Sequence, residues 1–161
     1  MTDKSPAPDW SVLERKASEI VGDDSDALSR LQRLCDYLAD SVPHYDWFGF
    51  YFAVPRRREV ILGPYNGEAT EHVRIPYGRG ICGQVAEGKD TLTIADVTAQ
   101  ENYLSCSIHV RSEIVVPILD GDEFLGEIDI DSHTQNAFSH ADRAFLERLA
   151  TKLAPLVPRN L

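Results

Sequence analysis

We place one predicted turn at the centre of the fold, and its sequence is Arg74-Ile75-Pro76-Tyr77-Gly78-Arg79-Gly80-Ile81-Cys82-Gly83. Its three glycines let the backbone bend and approach a ligand closely, because glycine has no Cβ. The run Gln84–Glu87 is compatible with a helix that ends at Gly88. Because a helix N-terminus presents free N–H groups, the turn could seat an anion and lower the pKa of the Cys82 thiol. A tight strand-to-helix turn around a buried cysteine is the simpler interpretation, and this segment alone favours it.

Length and charge narrow the class of protein. The chain has 161 residues, 43% of them hydrophobic, and a net charge of −10 from 26 acidic and 16 basic residues. We expect a disordered tail over residues 1–8 and a single domain over 9–161, long enough to bury a core. An acidic surface repels nucleic acid and anionic membranes, so neither is expected as a partner. The chain shows neither a signal sequence nor an apolar run of membrane length, which predicts a cytoplasmic protein. Its acidic, lysine-poor composition also suggests a high-salt habitat.

The periodicity of apolar residues predicts an α+β domain. Helical spacing begins after Asp9 and again at Leu28, and Cys35 lies on the second apolar stripe, which places it in the core. Ser139 and Asp142 predict a capping box that opens a last helix. Strands are expected over 47–54, 59–64, 73–75, 91–94, 112–119 and 123–132. These elements predict a mostly antiparallel sheet of five or six strands with helices at both ends of the chain.

Acidic residues are the strongest chemical signal in the predicted strands. Alternation along the last strand puts Asp129 and Asp131 on one face and the isoleucines between them on the other. Glu113 opens the preceding strand and could lie beside them. Converging carboxylates hold an ammonium group well, and their repulsion raises at least one pKa, which makes a proton donor. A solvated strand face is the alternative.

The three cysteines, Cys35, Cys82 and Cys106, are too few for a disulfide scaffold. A zinc site formed by His72, Cys82, Cys106 and His109 is a minor alternative, because only Cys106-x-x-His109 has suggestive spacing.

Six motifs occur in one order along the chain. They are Trp47-x-Gly49-Phe50-Tyr51, Leu62-Gly63-Pro64-Tyr65-x-Gly67, the glycine segment at 74–83, Cys106, Ser112-Glu113-Ile114-Val115-Val116-Pro117 and Asp129-Ile130-Asp131-Ser132. Together, over roughly residues 25–155, they resemble the free methionine-(R)-sulfoxide reductases, a GAF-domain family.

The resemblance implies a fold and a set of site residues. It implies a GAF-like sheet with the N- and C-terminal helices on one face and a ligand pocket on the other. Trp47 and Tyr51 would wall the methyl-sulfoxide end of the pocket. Glu113, Asp129 and Asp131 would hold the amino group and the sulfoxide oxygen, and Gly80 and Ile81 would offer amides to the substrate carboxylate.

The resemblance also implies a reaction. A cysteine thiolate attacks the sulfoxide sulfur while a carboxylic acid such as Glu113 protonates the oxygen, which leaves a sulfenic acid. A second cysteine then forms a disulfide, which an external dithiol such as thioredoxin opens. Cys82 and Cys106 would be the redox pair, with Cys106 favoured as the attacking thiol and the reverse assignment open. Neither a metal nor an organic cofactor is expected, and a homodimer through the helices is plausible.

Two positions depart from the family pattern. His72 stands where many members have a further cysteine, and Ser107 follows Cys106 where aspartate is usual. These departures keep a second hypothesis open, a non-catalytic GAF sensor that binds a small amino-acid-like ligand.

Overall fold

The computed structural model describes residues 6–104 and 108–161, which form four α-helices and six β-strands. The helices are α1 (Trp10–Val21), α2 (Ala27–Ser41), α3 (Gly80–Gly88) and α4 (His140–Leu153). The strands are β1 (Trp47–Val54), β2 (Glu59–Asn66), β3 (Arg74–Pro76), β4 (Leu92–Ile94), β5 (Ser112–Asp120) and β6 (Glu123–Ser132).

The strands form one antiparallel sheet in the order β3-β2-β1-β6-β5-β4. The α+β class and the antiparallel sheet predicted from the sequence are therefore confirmed. The central strands β1 and β6 pair with Trp47 opposite Asp131 and Tyr51 opposite Glu127. Each of these residues thus lies next to a residue on the neighbouring strand that points to the same face of the sheet.

Three helices cover one face of the sheet. Asp9, Asp26 and Ser139 cap α1, α2 and α4 by accepting hydrogen bonds from backbone amides, and the predicted capping box at Ser139 and Asp142 is present. The apolar stripes of these helices pack on one side of β1, β5 and β6 in a single buried core. Cys35 is fully buried in this core, as predicted.

The other face of the sheet carries α3 and a second, smaller buried cluster that includes Trp47, Tyr51 and Cys82. The helices at the two ends of the chain and α3 therefore lie on opposite faces of the sheet. In the described ranges, no helix combines the length and the apolarity needed to cross a membrane.

Two predicted boundaries were wrong. Strand β2 continues to Asn66 because Phe48 and Gly49 of β1 pair with Asn66 and Tyr65, beyond the apolar run that marks the strand in the sequence. Helix α3 already begins at Gly80, so Cys82 lies in its first turn and not in a preceding loop.

Candidate active site

A row of buried carboxylates lies on the sheet face that α3 covers. Glu127, Asp129 and Asp131 alternate along β6 with Ile128 and Ile130, which point into the helical core. None of the three acids is more than 1% exposed. The predicted grouping of Asp129 and Asp131 on one face is confirmed, and the alternative of a solvated face is wrong.

Glu113 and Cys82 complete this group. Glu113 of β5 pairs directly with Asp131 of β6 and is buried. Cys82 projects from α3, which packs over β5 and β6. The Cys82 sulfur and one carboxylate oxygen each from Glu113 and Asp129 lie within 4.8 Å of one another. The tertiary fold thus brings together four predicted site residues, Cys82, Glu113, Asp129 and Asp131.

Several oxygens of these acids are buried without a hydrogen-bond partner among the described residues. They are Oδ1 of Asp129 and both carboxylate oxygens of Asp131 and of Glu127. An unpaired buried polar atom costs roughly 1–3 kcal/mol, and more where the group is charged. Such atoms mark a site built to receive hydrogen-bond donors from a ligand.

Crowding and burial raise the pKa values of these acids. Burial, with the Asp129 and Asp131 carboxylates, raises the pKa of Glu113 well above its usual value. Burial and Asp129 do the same to the pKa values of Glu127 and Asp131. Burial also raises the pKa of Asp129, but its neighbours Glu113 and Cys82 partly offset the effect. One oxygen each of Glu113 and Asp129 lie within 4.8 Å of each other, so two negative charges there would repel by roughly 3.5 kcal/mol or more at an effective dielectric constant of 20, which favours a proton on one of the pair.

The pKa of the Cys82 thiol is shifted by the residues around it. Burial, followed by the charges of Asp129 and Glu127, raises the pKa of Cys82 well above its usual value. The sequence left open that the positive end of the short helix α3 lowers this pKa, but favoured a buried cysteine in a tight turn. The buried cysteine is confirmed, and the acids of the neighbouring strands and the loss of water outweigh the helix dipole.

The two predicted aromatic residues occupy different places. Tyr51 lines the cavity beside Cys82 and Glu113, and its hydroxyl donates a 2.9 Å hydrogen bond to the His72 carbonyl. Trp47 stacks on Tyr65 at 5.3 Å between ring centroids and lies 6.5 Å from the Tyr51 ring. Its indole Nε1 donates to the Glu68 carbonyl. Trp47 therefore packs near Tyr51, and of the two residues Tyr51 is the one that lines the cavity.

The glycine turn holds the start of α3 with help from a distant side chain. Gly78 and Gly80 have φ values of +86° and +63°, which favour glycine. The Asn102 amide bridges them, because its Oδ1 accepts from the Gly80 N–H at 2.9 Å and its Nδ2 donates to the Gly78 carbonyl at 2.9 Å. The Gly80 amide was expected to be open to an anion; Asn102 caps it instead. Ile81 lines the cavity beside it.

The cavity over the acids is closed. Its volume is about 10 Å³, room for about one water molecule. Its lining includes Ile75, Gly80 and Leu104, and Leu104 lies against Gly80. Typical ligand pockets measure ~300 Å³ or more. The cavity in this arrangement is therefore too small for an amino acid.

Comparison with known proteins identifies the family. The GAF domain family model matches residues 15–155. A type II free methionine-R-sulfoxide reductase from Thermoplasma acidophilum is 38% identical, with a TM-score of 0.77 over 89% of this chain and 94% of that one. The chain belongs to the free methionine-(R)-sulfoxide reductases, within the GAF-domain family.

Two further GAF-family relatives are similar to this chain. The free methionine-R-sulfoxide reductase of Neisseria meningitidis, solved with its substrate, is 30% identical, with a TM-score of 0.86 over 94% of this chain and 92% of that one. The free methionine-R-sulfoxide reductase of Saccharomyces cerevisiae is 39% identical over 65% of this chain and 59% of its own length.

Two residues of this GAF-family site were missed from the sequence. Glu127 is the fourth buried acid, and the alternation that identified Asp129 and Asp131 extends to it two residues earlier. Asn102 lies in a polar segment, 22 residues from the amide that it caps. No local signal could have identified Asn102, because the contact exists only once the chain has folded.

The remaining predicted residues are placed as follows. Cys106 lies outside the described residues, between the described positions Leu104 and Ile108. His72 lines the same cavity as Cys82, whereas the His109 ring lies 5.8 Å from the ring of His133. The cluster suited to a metal is Cys82, Glu113 and Asp129, so within the described residues the predicted zinc set is replaced by one that shares only Cys82 with it.

Proposed function

We propose that this protein reduces free methionine-(R)-sulfoxide to methionine, with cysteine thiols as the source of electrons. The observation that carries the proposal is the buried group of Cys82, Glu113, Asp129 and Asp131, whose unpartnered oxygens suit an ammonium group and a sulfoxide oxygen. The similarity to free methionine-R-sulfoxide reductases over nearly the whole chain supports the same substrate.

The two charged ends of the amino acid bind at opposite ends of the site. Asp129, the acid whose neighbours favour its ionised form, accepts hydrogen bonds from the ammonium group together with Asp131. The substrate carboxylate then lies away from the acids, at the backbone amides of Gly80 and Ile81. It takes the place of the Asn102 side chain, which already demonstrates that the Gly80 amide donates to an oxygen.

The sulfoxide lies between the acids and the aromatic wall. Tyr51, supported by Trp47, packs against the methyl-sulfoxide group. Burial and the neighbouring acids raise the pKa of Glu113, which favours the protonated form that donates a hydrogen bond to the sulfoxide oxygen. As the S–O bond weakens, that proton neutralises the charge that develops on oxygen.

The reaction then proceeds in two thiol steps. The Cys106 thiolate attacks the sulfoxide sulfur, oxygen passes to the cysteine, and methionine leaves, so that Cys106 becomes a sulfenic acid. The Cys82 thiol condenses with it, which forms the disulfide and releases one water molecule. The raised pKa of Cys82 supports this order, because a thiol held protonated by burial and four acids is a poor first nucleophile.

The product disulfide is opened by an external dithiol such as thioredoxin, and the reaction requires no prosthetic group. Ile108, two positions after Cys106 in the sequence, is 89% exposed and offers an apolar contact to a protein reductant. We also propose a homodimer through the helical layer, where Val12 of α1 and Leu28 of α2 are exposed. Sedimentation of the wild type and a Leu28→Glu variant tests this assembly.

One assay tests the activity against the sensor alternative. The reduced protein is incubated with the R and S epimers of free methionine sulfoxide and with a peptide that contains methionine sulfoxide, with dithiothreitol as the reductant. Only the free R epimer should be consumed. The peptide should remain unreduced because it lacks both terminal charges at that residue. Binding of the free sulfoxide without turnover would support the sensor, and equal turnover of the peptide would refute the charge-selective pocket.

A further inference from the structure

The small cavity between α3 and the sheet brings together three possible ligand atoms for a metal ion. Cys82, Glu113 and Asp129 present three donor atoms within 4.8 Å of one another, and all three side chains are buried. Oδ1 of Asp129 has no hydrogen-bond partner among the described residues, and the same is true of both oxygens of the neighbouring Asp131. In the described ranges, none of these acids forms a salt bridge with a lysine or arginine. Within the described ranges these buried acids therefore have no lysine or arginine partner, and the side chain whose charge acts to lower the pKa of Asp129 is His72.

The size of the cavity selects a single ion over an amino acid. A volume of about 10 Å³ accommodates one water-sized particle. An amino acid needs a larger cavity than this arrangement offers, whereas a single ion fits it.

The donor atoms select the kind of ion. One sulfur and two carboxylate oxygens match Zn²⁺, which binds sulfur at about 2.3 Å and oxygen at about 2.0–2.2 Å. Around a tetrahedral ion such donors lie roughly 3.3–3.6 Å apart, so the side chains need to close by about 1 Å. Mg²⁺ and Ca²⁺ prefer six or more oxygen ligands, and a cavity of this size has no room for their additional waters.

We propose that the substrate-free site binds a zinc-type divalent ion through Cys82 Sγ, Glu113 and Asp129, and that this ion excludes methionine sulfoxide. Asp131, which pairs with Glu113 across the two strands, supplies the fourth ligand. The ion takes no part in the reduction and acts as a competitor. Binding of the ion stands independently of the activity, whereas its role as an inhibitor rests on the proposed function.

Cobalt(II) provides a direct probe, because a cysteine ligand gives a thiolate-to-cobalt charge-transfer absorption. Titration of the reduced wild-type protein should reach one cobalt per chain, and Zn²⁺ should displace it. Cys82→Ser should lose the charge-transfer band. Glu113→Gln and Asp129→Asn should weaken binding by about 100-fold or more, because even the supporting residues of metal sites contribute about 10–100-fold.

Matched thiol controls separate this site from other cysteine sites. Cys35→Ser removes a buried thiol in the helical core, and Cys106→Ser removes the other redox thiol. Both variants should keep the cobalt band with little change in affinity. X-ray absorption on the zinc-loaded wild type, which needs no variant to fold, should give one sulfur ligand with oxygen ligands.

Four results would overturn the proposal. The first is that the wild-type protein binds no stoichiometric cobalt, and the second is that Glu113→Gln and Asp129→Asn both bind cobalt with unchanged affinity. The third is loss of the charge-transfer band in Cys106→Ser, and the fourth is an X-ray absorption spectrum with two sulfur ligands. Competition is measured with free methionine, without turnover, and methionine should raise the apparent cobalt dissociation constant in proportion to its concentration. If ion and amino acid bind together, exclusion is refuted even where the ion site and the reductase activity both stand.

Discussion

Asp142 connects the start of α4 to the turn that precedes β1, and substitution of its carboxylate tests that connection. Its buried carboxylate accepts from the Ser139 backbone amide and hydroxyl at 2.8 Å each, from the Tyr45 hydroxyl at 2.9 Å, and from His44 Nε2 at 2.6 Å. The first two contacts cap α4, and the other two fix the turn that leads into β1. Asp142 therefore joins the start of α4 to Tyr45 and His44, which lie 97 and 98 residues earlier in the sequence.

The amide variant Asp142→Asn keeps the shape and removes the charge. An asparagine offers one acceptor oxygen and places an N–H group against donors, so about two of the four bonds are lost. At about 1.5 kcal/mol for each bond to a charged group, the free energy of unfolding should fall by about 3 kcal/mol. For a chain of this length the melting temperature should fall by roughly 6–12 °C.

The pH dependence has a definite sign. Burial acts against ionisation, but hydrogen bonds from His44 and Ser139 outweigh it and lower the pKa of Asp142. The stabilisation is therefore complete above the unfolded-state pKa of about 3.9 and is lost as the pH falls through the lower folded-state pKa. Wild type and Asp142→Asn should differ most near neutral pH and converge in acid.

Urea unfolding at several pH values, followed by circular dichroism, measures both effects. The matched control is Glu147→Gln on the same helix, whose exposed ion pair with Arg143 should contribute less than about 0.5 kcal/mol. Tyr45→Phe, which removes one bond, should cost about 1.5 kcal/mol. If Asp142→Asn unfolds within 0.5 kcal/mol of the wild type, the carboxylate does not hold these elements together.

Three further predictions concern the site. Glu113→Gln and Asp131→Asn should each lower kcat/KM for the free sulfoxide by roughly 10²-fold or more; wild-type kinetics in both would show that these acids take no part. Cys106→Ser should fail even a single turnover, whereas Cys82→Ser should complete one and stall as a sulfenic acid that mass spectrometry detects; the opposite outcome would exchange their roles. Asn102→Ala should free the Gly80 amide and speed substrate association in stopped-flow binding, and an unchanged rate would argue against Asn102 as a latch.

The sequence contained enough information for the fold class and for much of the site. A strand covered by core on one side must alternate, so Ile128 and Ile130 placed Asp129 and Asp131 together on the opposite face. The helix stripe that carries Cys35 and the capping box at Ser139 are local patterns of the same kind. They were predictable because the geometry of a helix or strand depends on neighbouring residues alone.

The properties of the site depended on residues that are distant in the sequence. The helix that begins near Cys82 left a lowered pKa open for this thiol, but burial and the acids on β5 and β6 raise it. Asn102 caps the helix that the glycine turn was expected to leave open, and Leu104 lines the small cavity beside it. Electrostatic effects and burial act through space, so only the tertiary structure decides which thiol is suppressed and which amide is free.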